Sequence, residues 1–411
     1  MSHKNIVIVS QSHLCRNPRV LKESLALSRA GYEVTILTAI YSNDLLREDL
    51  SLIAGTTIHY DFYSDLRSFS LSSFTDRCLI KIFILVQRYL FFESKLSLGY
   101  GAERLRHICE KYGASLYIMH QELATVIGSE MVNQYPVIFD FEDWYSEDLL
   151  PGARRSRPLE LLKKAEKTAL QYGALSITTS HAMANALATF YKTDNLPNVV
   201  YNTFNMDAAV QKKTRNVGTT RLYWFSQTIG EGRGLEFFIS AMGKSTAHWE
   251  LYLRGNISPG YQIYLEQLVS PKDKLVILPV QKNNEILSSM AGYHIGLALE
   301  PNTPPNKNFT ISNKFFHYMA AGLPIIASHT DGHAEIGAQH PDFIFMYEQN
   351  DEDDLVTLLD NLAAKYGENE LNKVRETVLN VYRSRYAWEI EEKKLVRIIS
   401  RSFEKSCYPA N

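Results

Sequence analysis

The amino-acid sequence predicts an α/β protein built from two doubly wound domains in tandem, each a parallel sheet covered by helices on both faces. Three observations predict it. Short β-branched runs alternate with longer amphipathic stretches over the first 200 residues, the pattern of parallel strands joined by crossover helices. The alternation stops at a polar, basic segment, residues 207–220, and then starts again. The chain has 411 residues, of which 45% are apolar and 21% charged. That is enough for two large domains, and the balance excludes disorder and collagen-like repeats.

In the first series, strands are expected at residues 6–9, 33–37, 57–62, 115–119, 137–140, 176–179 and 199–201, with helices at 20–29, 122–133 and 182–191 among them. The opening run is too short for the apolar core of a secretion signal and reads as a buried strand. In the second series, strands are expected at 221–226, 250–253, 275–278, 294–299, 324–327 and 343–346. Helices are expected between them at 235–242, 260–269, 284–290, 313–321 and 353–362. Two such sheets leave a cleft at the carboxyl ends of their strands, where folds of this class bind ligands. The expected division is 1–206, 207–380 and 381–411, the last belonging to a long charged helix, 376–402, that packs back toward the first domain.

Charge and cysteine content narrow the function. Lysine plus arginine number 43 and aspartate plus glutamate 45, a net charge of −2, so nucleic acid is not an expected partner. Cys15, Cys78, Cys109 and Cys407 are scattered without zinc spacing, which suits a reducing cytoplasm and no disulfide scaffold. The most apolar window, LIKIFILVQRYLFF at 79–92, is interrupted by Lys81 and Arg88 and falls short of a spanning helix. Residues 66–112 carry eight basic and four acidic side chains, with Phe83, Tyr89, Phe91 and Phe92 among them, and PGARRSRPLELLKKAEK adds a second basic run. Two readings stand: an anionic membrane surface as partner, or an ordinary buried helix.

The richest segment is TISNKFFHYMAAGLPIIAS, 310–328. Thr310 or Ser312 can cap a helix striped by Phe315, Phe316 and Met319, and Gly322 suits its end. Ser312, Asn313 and Lys314 at such a start offer free N–H groups, the positive dipole end and an ammonium, which together suit a phosphate. GEGRG, 230–234, lacks dinucleotide spacing; a glycine-flexed loop presenting Arg233 fits a diphosphate better, with Arg254 a second cation. In SQSHLCRNPRV, Asn17 and Pro18 read as cap and first helical residue. His13, Arg16 and Arg19 there either attract an acceptor phosphate or lipid diphosphate, or form a solvated surface loop. His120 ends the strand LYIMH, and Asp140, Glu142, Asp143, Glu147 and Asp148 follow the next strand; they bind a metal or acceptor hydroxyls, or simply form an acidic loop.

SNKFFHYMAAGLPIIAS resembles the donor-binding segment of GT-B fold glycosyltransferases, close to glycosyltransferase family 4. RLYWFSQTIGEGRGLEFFISAM, AGYHIGLALEP, SITTSHAMANAL and NVVYNTFN are similar to other parts of that family in the same order. The resemblance implies two Rossmann-like domains with a central cleft and transfer of a sugar from a nucleotide-sugar donor to a glycan or lipid-linked acceptor. It further implies retention of configuration, and no metal or other cofactor, since helix dipole and cations neutralise the leaving diphosphate. It makes His120 and Glu300 the catalytic pair and places Arg233, Ser312, Asn313, Lys314 and His317 at the donor; Arg254 joins them as the second candidate cation, and the loop's own charges put His13, Arg16 and Arg19 on the acceptor side. Two departures matter: an insertion, PNTPPNKNFT, follows Glu300, and the family's second glutamate, which holds the donor ribose, falls on His317. The N-terminal glycine pair is also absent. A sugar-nucleotide hydrolase or epimerase, or a non-catalytic subunit, are the alternatives.

Overall fold

The computed structural model describes residues 4–206, 219–366 and 368–405, and the chain divides into two compact units, Met1–Val200 with Glu392–Asn411, and Tyr201–Glu391. The first unit holds a seven-stranded sheet of β1 (Asn5–Val9), β2 (Glu33–Ile40), β3 (His59–Asp65), β4 (Leu116–His120), β5 (Val137–Phe141), β6 (Leu175–Thr178) and β7 (Asn198–Val199), in the order β3-β2-β1-β4-β5-β6-β7. All pairings are parallel. β4 and β5 are buried along their whole length, which is why these strands read as continuous apolar runs rather than alternating ones. The chain winds outward on one side through β2 and β3 and on the other from β4, so the switch point lies between β1 and β4, where folds of this class place ligands. Helices α1 (Pro18–Arg29), α2 (Asn43–Leu52), α3 (Leu71–Leu90), α4 (Ala102–Tyr112), α5 (Gln121–Met131), α6 (Pro151–Arg154), α7 (Leu159–Tyr172) and α8 (His181–Tyr191) complete the unit.

The second unit has a six-stranded parallel sheet of β8 (Thr220–Ile229), β9 (Trp249–Ile257), β10 (Lys274–Leu278), β11 (Ile295–Ala298), β12 (Ile325–Ser328) and β13 (Ile344–Tyr347), in the order β10-β9-β8-β11-β12-β13. Its helices are α9 (Leu235–Lys244), α10 (Pro259–Leu268), α11 (Asn283–Ser289), α12 (Pro305–Phe309), α13 (Asn313–Ala320), α14 (Asp331–Gly337), α15 (Glu352–Lys365) and α16 (Glu368–Val381); α17 (Trp388–Lys405) follows. Trp224, Trp249, Leu251, Leu253, Phe238 and Leu297 pack one face of this sheet into a core. Ser258, Ser312, Thr330 and Asp351 each cap a helix by accepting a backbone N–H, satisfying donors a helix start leaves unpaired.

Every expected strand is present, with β8 and β9 longer than the sequence suggested because a bulge between Phe225 and Thr228 lets the pair continue. The expected segment 207–220 lies outside the described residues up to 218. Its predecessor belongs with the second unit rather than the first. Glu391 accepts from the Tyr201 N–H at 2.8 Å, Tyr382 Oη accepts from the Phe204 N–H at 2.8 Å, and the Trp388 N–H donates to the Phe204 carbonyl at 2.9 Å. The expected single helix 376–402 is two: α16 gives way to a π-helical turn, Tyr382–Tyr386, and α17 begins at Trp388. Beyond Glu392 the chain counts with the first unit, where Arg29 pairs with Glu392 at 2.7 Å and Tyr32 stacks on Phe403. The apolar window 79–92 lies in α3 and the loop after it, and it is not buried: Ile82, Leu85, Tyr89, Leu90, Phe91 and Phe92 are exposed. Among the described residues, no helix is long and apolar enough to cross a membrane.

Candidate functional site

In the first unit a buried network of charges sits where β4 and β5 end. His120 is the last residue of β4 and lies in register with Asp140 of β5. Helix α1 begins beside them, its cap Asn17 accepting from the N–H groups of Arg19 and Val20. The i,i+4 spacing of Arg19 and Glu23 turns both inward. Arg19 Nε reaches both oxygens of Asp140 at 3.0 and 2.9 Å, its Nη1 donates to the Val200 carbonyl at 2.9 Å, and it lies 3.2 Å from Glu23. His120 Nε2 lies 3.2 Å from the other Glu23 oxygen, and Nδ1 lies 2.8 Å from Glu142, which also accepts from Asn17 Nδ2 at 2.9 Å. Burial pushes the imidazole pKa down, but Glu23, the ring's hydrogen bonds to Glu142 and Glu23, and Asp140 outweigh it and lift it to about 10. Burial and Asp140 push the Glu23 carboxyl up; Asp140 stays below the ordinary range because Arg19 and His120 outweigh its burial. The residue after His120, Gln121, has φ 71°, unusual for a side chain of that size. Its amide oxygen accepts from Ser10 Oγ and the Gln11 N–H, tying β4 to the loop after β1.

This geometry revises the acceptor-side reading. His13 is buried with Nδ1 2.6 Å from Asp49, while Nε2 accepts from the N–H groups of Tyr41 and Ser42. Its ring therefore fixes the loop after β1 and has no face to offer a ligand. Arg19 is buried among its carboxylates and is an internal cation, not a solvated one. Arg16, at the end of a single 3-10 turn, is the exposed member of the three. His120 itself is wholly buried; the part of the network that meets solvent is Glu142, whose side chain is 20% exposed. Glu23, His120 and Asp140 each offer a ligand atom within 4.8 Å of the others, but the Arg19 guanidinium already supplies the cation those carboxylates need.

In the second unit, Glu300 follows β11 and its backbone carbonyl accepts from Ser328 Oγ at 2.6 Å, joining the ends of β11 and β12. The Glu300 carboxylate accepts from the Lys314 ammonium and has His333 Nε2 3.7 Å away. Lys314 is the second residue of α13, whose cap Ser312 accepts from its N–H at 3.3 Å, and its Nζ lies 5.5 Å over the Trp224 ring. Burial pushes the Glu300 carboxyl up, yet Lys314 and then His333 outweigh it and hold it down at about 2. His333, buried against Phe315, is pushed below the usual imidazole range by desolvation. Glu300, Lys314 and Ser312 therefore form one site, a carboxylate locked to a cation at a capped helix start.

The other donor-side residues are placed differently. Asn313 opens α13 and its side-chain oxygen accepts from Asn202 Nδ2 at 3.0 Å. His317, one turn on, has Nδ1 2.7 Å from the Asn313 carbonyl and its ring 3.8 Å from Phe204 and 5.2 Å from Phe225. Its ring thus packs between aromatic side chains and remains partly exposed. Arg233 is exposed, but the next residue, Gly234, has φ 74° and a Cβ there would come within 2.7 Å of the Leu299 carbonyl, so its loop rests on the residue before Glu300. Arg254 donates from Nε to Tyr223 Oη at 2.8 Å and from Nη1 to the Pro279 carbonyl at 2.9 Å. It lies on the face of β9 opposite the buried Leu251 and Leu253, among Tyr223, Tyr252 and Tyr293, and no contact with Glu300 or Lys314 joins it to their site. Sequence reasoning passed over Glu23 and His333. The i,i+4 step from Arg19 was a usable signal for the first, whereas nothing local marked the second.

No family model matches the sequence, and no curated protein does. Solved structures do. A sucrose-phosphate synthase from Thermosynechococcus elongatus superposes with TM-score 0.68 at 12% identity over 98% of this chain and 100% of its own. Anabaena Alr3699/HepE in complex with UDP-glucose gives 0.64 at 13% identity over 97% and 100%. A candidate UDP-N-acetylglucosamine 2-epimerase from Listeria monocytogenes gives 0.55 at 10% identity over 100% and 99%. Matches of this kind rest on the path of the backbone and not on shared side chains. The chain carries the GT-B fold, two Rossmann-like α/β domains in tandem.

Proposed function

We propose that the protein is a glycosyltransferase that moves a sugar, with retention, from a nucleotide-sugar donor to a glycan or lipid-linked acceptor in surface polysaccharide or glycoconjugate synthesis. The observation that carries this reading is the Glu300–Lys314 pair at the Ser312-capped start of α13. A departing diphosphate develops negative charge. An ammonium and the positive dipole end of a helix start both attract such charge. Arg233, on the loop resting against Leu299, adds a second cation. His120 acts through Glu142, holding that carboxylate for the hydroxyls of the acceptor, so it is a positioning residue. No metal is required, because the cations carry the neutralising charge. A membrane-peripheral location at the inner face suits a lipid-linked acceptor.

Isothermal calorimetry with UDP, GDP and their sugar conjugates tests the donor site. The reading requires one nucleoside diphosphate to bind, and to bind far more weakly to a Lys314→Ala variant. Nucleoside diphosphate release that depends on an added acceptor marks a transferase. Release without acceptor, or interconversion of the donor sugar, would instead establish the hydrolase or epimerase. Absence of any nucleotide binding would leave a non-catalytic fold.

A further inference from the structure

Helix α3 is turned inside out. Its polar residues Ser73, Asp76 and Gln87 are buried, while Leu71, Phe74, Ile82, Leu85 and Tyr89 are 89, 64, 51, 53 and 68% exposed. Steps of three, eight, three and four residues place these five along one face of a 20-residue helix. The buried side is tied down specifically: Asp76 accepts from Ser64 Oγ at 2.7 Å and pairs with Arg104, so the outward direction of the apolar face is fixed by polar bonds on the other side. Phe91 ends the helix in the left-handed region at φ 54°, where glycine is usual, and Phe91 and Phe92 are both exposed. An apolar stripe of this length left in water marks a contact surface.

Charge decides what covers it. The exposed cations of α3 are Arg77, Lys81 and Arg88, in a row beside the stripe, and its acidic residue Asp76 is buried and already paired. Among the described residues of α3 these cations have no exposed acidic counterpart, so a second copy of the helix would gain no charge pair from the row. An anionic bilayer surface meets both parts at once: the stripe enters the acyl boundary and the cations stay at the headgroups. We propose that α3 is the membrane-docking element of the protein, lying in the plane of an anionic leaflet. The proposal rests on the membrane-peripheral location proposed above but not on the transfer reaction.

Sedimentation of the full chain with vesicles tests it, using phosphatidylcholine alone and phosphatidylcholine with about one-third phosphatidylglycerol. The full chain is expected to bind the anionic vesicles, and binding is expected to weaken in high salt. Lys81→Gln with Arg88→Gln should lower the anionic partition coefficient about thirtyfold, at about 1 kcal/mol per charge near the headgroups. Ile82→Ser with Leu85→Ser should lower it about tenfold through lost apolar insertion. All four side chains are exposed, so both variants should melt as the parent does. Parent chain that stays in solution with anionic vesicles overturns both the proposal and the peripheral location. Binding that survives both variants overturns the role of α3 while leaving the peripheral location standing. A dimer in light scattering that dissociates on Leu85→Ser assigns the face to a second copy and also overturns the proposal.

Discussion

Replacing Lys314 by alanine should have two separable consequences, one for stability and one for ligand affinity. Lys314 and Glu300 are only 15% and 14% exposed, so solvent screens their attraction weakly. The Glu300 carboxyl is held at about 2 against an ordinary 4.5, with Lys314 the foremost cause opposing burial. A depression of that size corresponds to about 3 kcal/mol of preference for the charged form. Removing the ammonium strands a part-buried carboxylate, a change that costs about 3–5 kcal/mol in such pairs. For a unit of this size the melting temperature should fall by about 6–20 °C. The sign with pH follows. Stability owed to a depressed carboxyl is present above pH 4.5 and lost as pH falls toward 2, so the variant's acid limb should move to higher pH. Nucleoside diphosphate binding should weaken independently by about 1.5–3 kcal/mol, the scale of a charge-assisted hydrogen bond. The double variant Lys314→Ala with Glu300→Ala should recover most of the melting temperature, because the stranded charge is gone, but none of the affinity. Calorimetry and a thermal scan on the same preparations decide the matter. Affinity unchanged in the single variant removes Lys314 from the donor site, and an unchanged melting temperature refutes the energetic account of the pair.

Other expectations follow from the same geometry. His120 has a raised pKa, so the stability it supplies is present below pH 6.5 and lost as pH rises through about 10; scanning calorimetry should show this alkaline loss in the parent and a flatter profile in His120→Gln, and identical profiles would exclude a charged imidazole. If His120 positions Glu142, Glu142→Gln should lower the turnover of the folded protein, with a smaller loss of melting temperature than Arg19→Met because Glu23 still offsets the imidazole, and full activity in that variant would deny the carboxylate a role. Arg19→Met leaves Asp140 and Glu23 buried without their cation, and should destabilise the first unit by about 3–5 kcal/mol; urea titration would contradict this if the midpoint held. Gly234→Ala places a Cβ 2.7 Å from the Leu299 carbonyl at φ 74°, a backbone cost of about 1–2 kcal/mol, and should weaken diphosphate binding by displacing the loop of Arg233; unaltered affinity would show that loop to be a bystander.

The sheets were legible because parallel strands buried on both faces leave an unmistakable record. Runs such as Ile6–Val9 and Leu116–His120 are apolar at nearly every position, with no alternation to confuse them with edge strands. The helices were less so. α7 starts without a side-chain cap, and α2 is capped only by Ser42 ahead of a charged sequence, so neither announced its ends. α3 was the hardest, because hydropathy records how apolar a segment is and not which way it faces. The same window suits a buried helix and a surface one, and the bonds of Asp76 to Ser64 and Arg104 settle the direction.

For the site, the sequence marked what is local and missed what is assembled. Ser312, Lys314 and the helix they open lie within three residues of one another, so their chemistry could be read directly. The Arg19 network could not. Its members come from α1, β4 and β5, separated by more than 100 residues, and each alone has the character of a surface side chain. Arginine, glutamate and aspartate are almost never fully buried unless paired, so a sequence that shows only one of them at a time argues for solvent. Burial becomes affordable only when all are present: Arg19 offsets Asp140, Glu23 and Glu142 offset His120, and the removal of any one leaves its partner uncompensated. That mutual dependence also explains why the two histidines separate so sharply. His13 uses both nitrogens to hold a loop in place, whereas His120 spends its bonds on carboxylates, one of which still reaches solvent, and only an arrangement of the second kind can transmit the imidazole's charge to a bound hydroxyl.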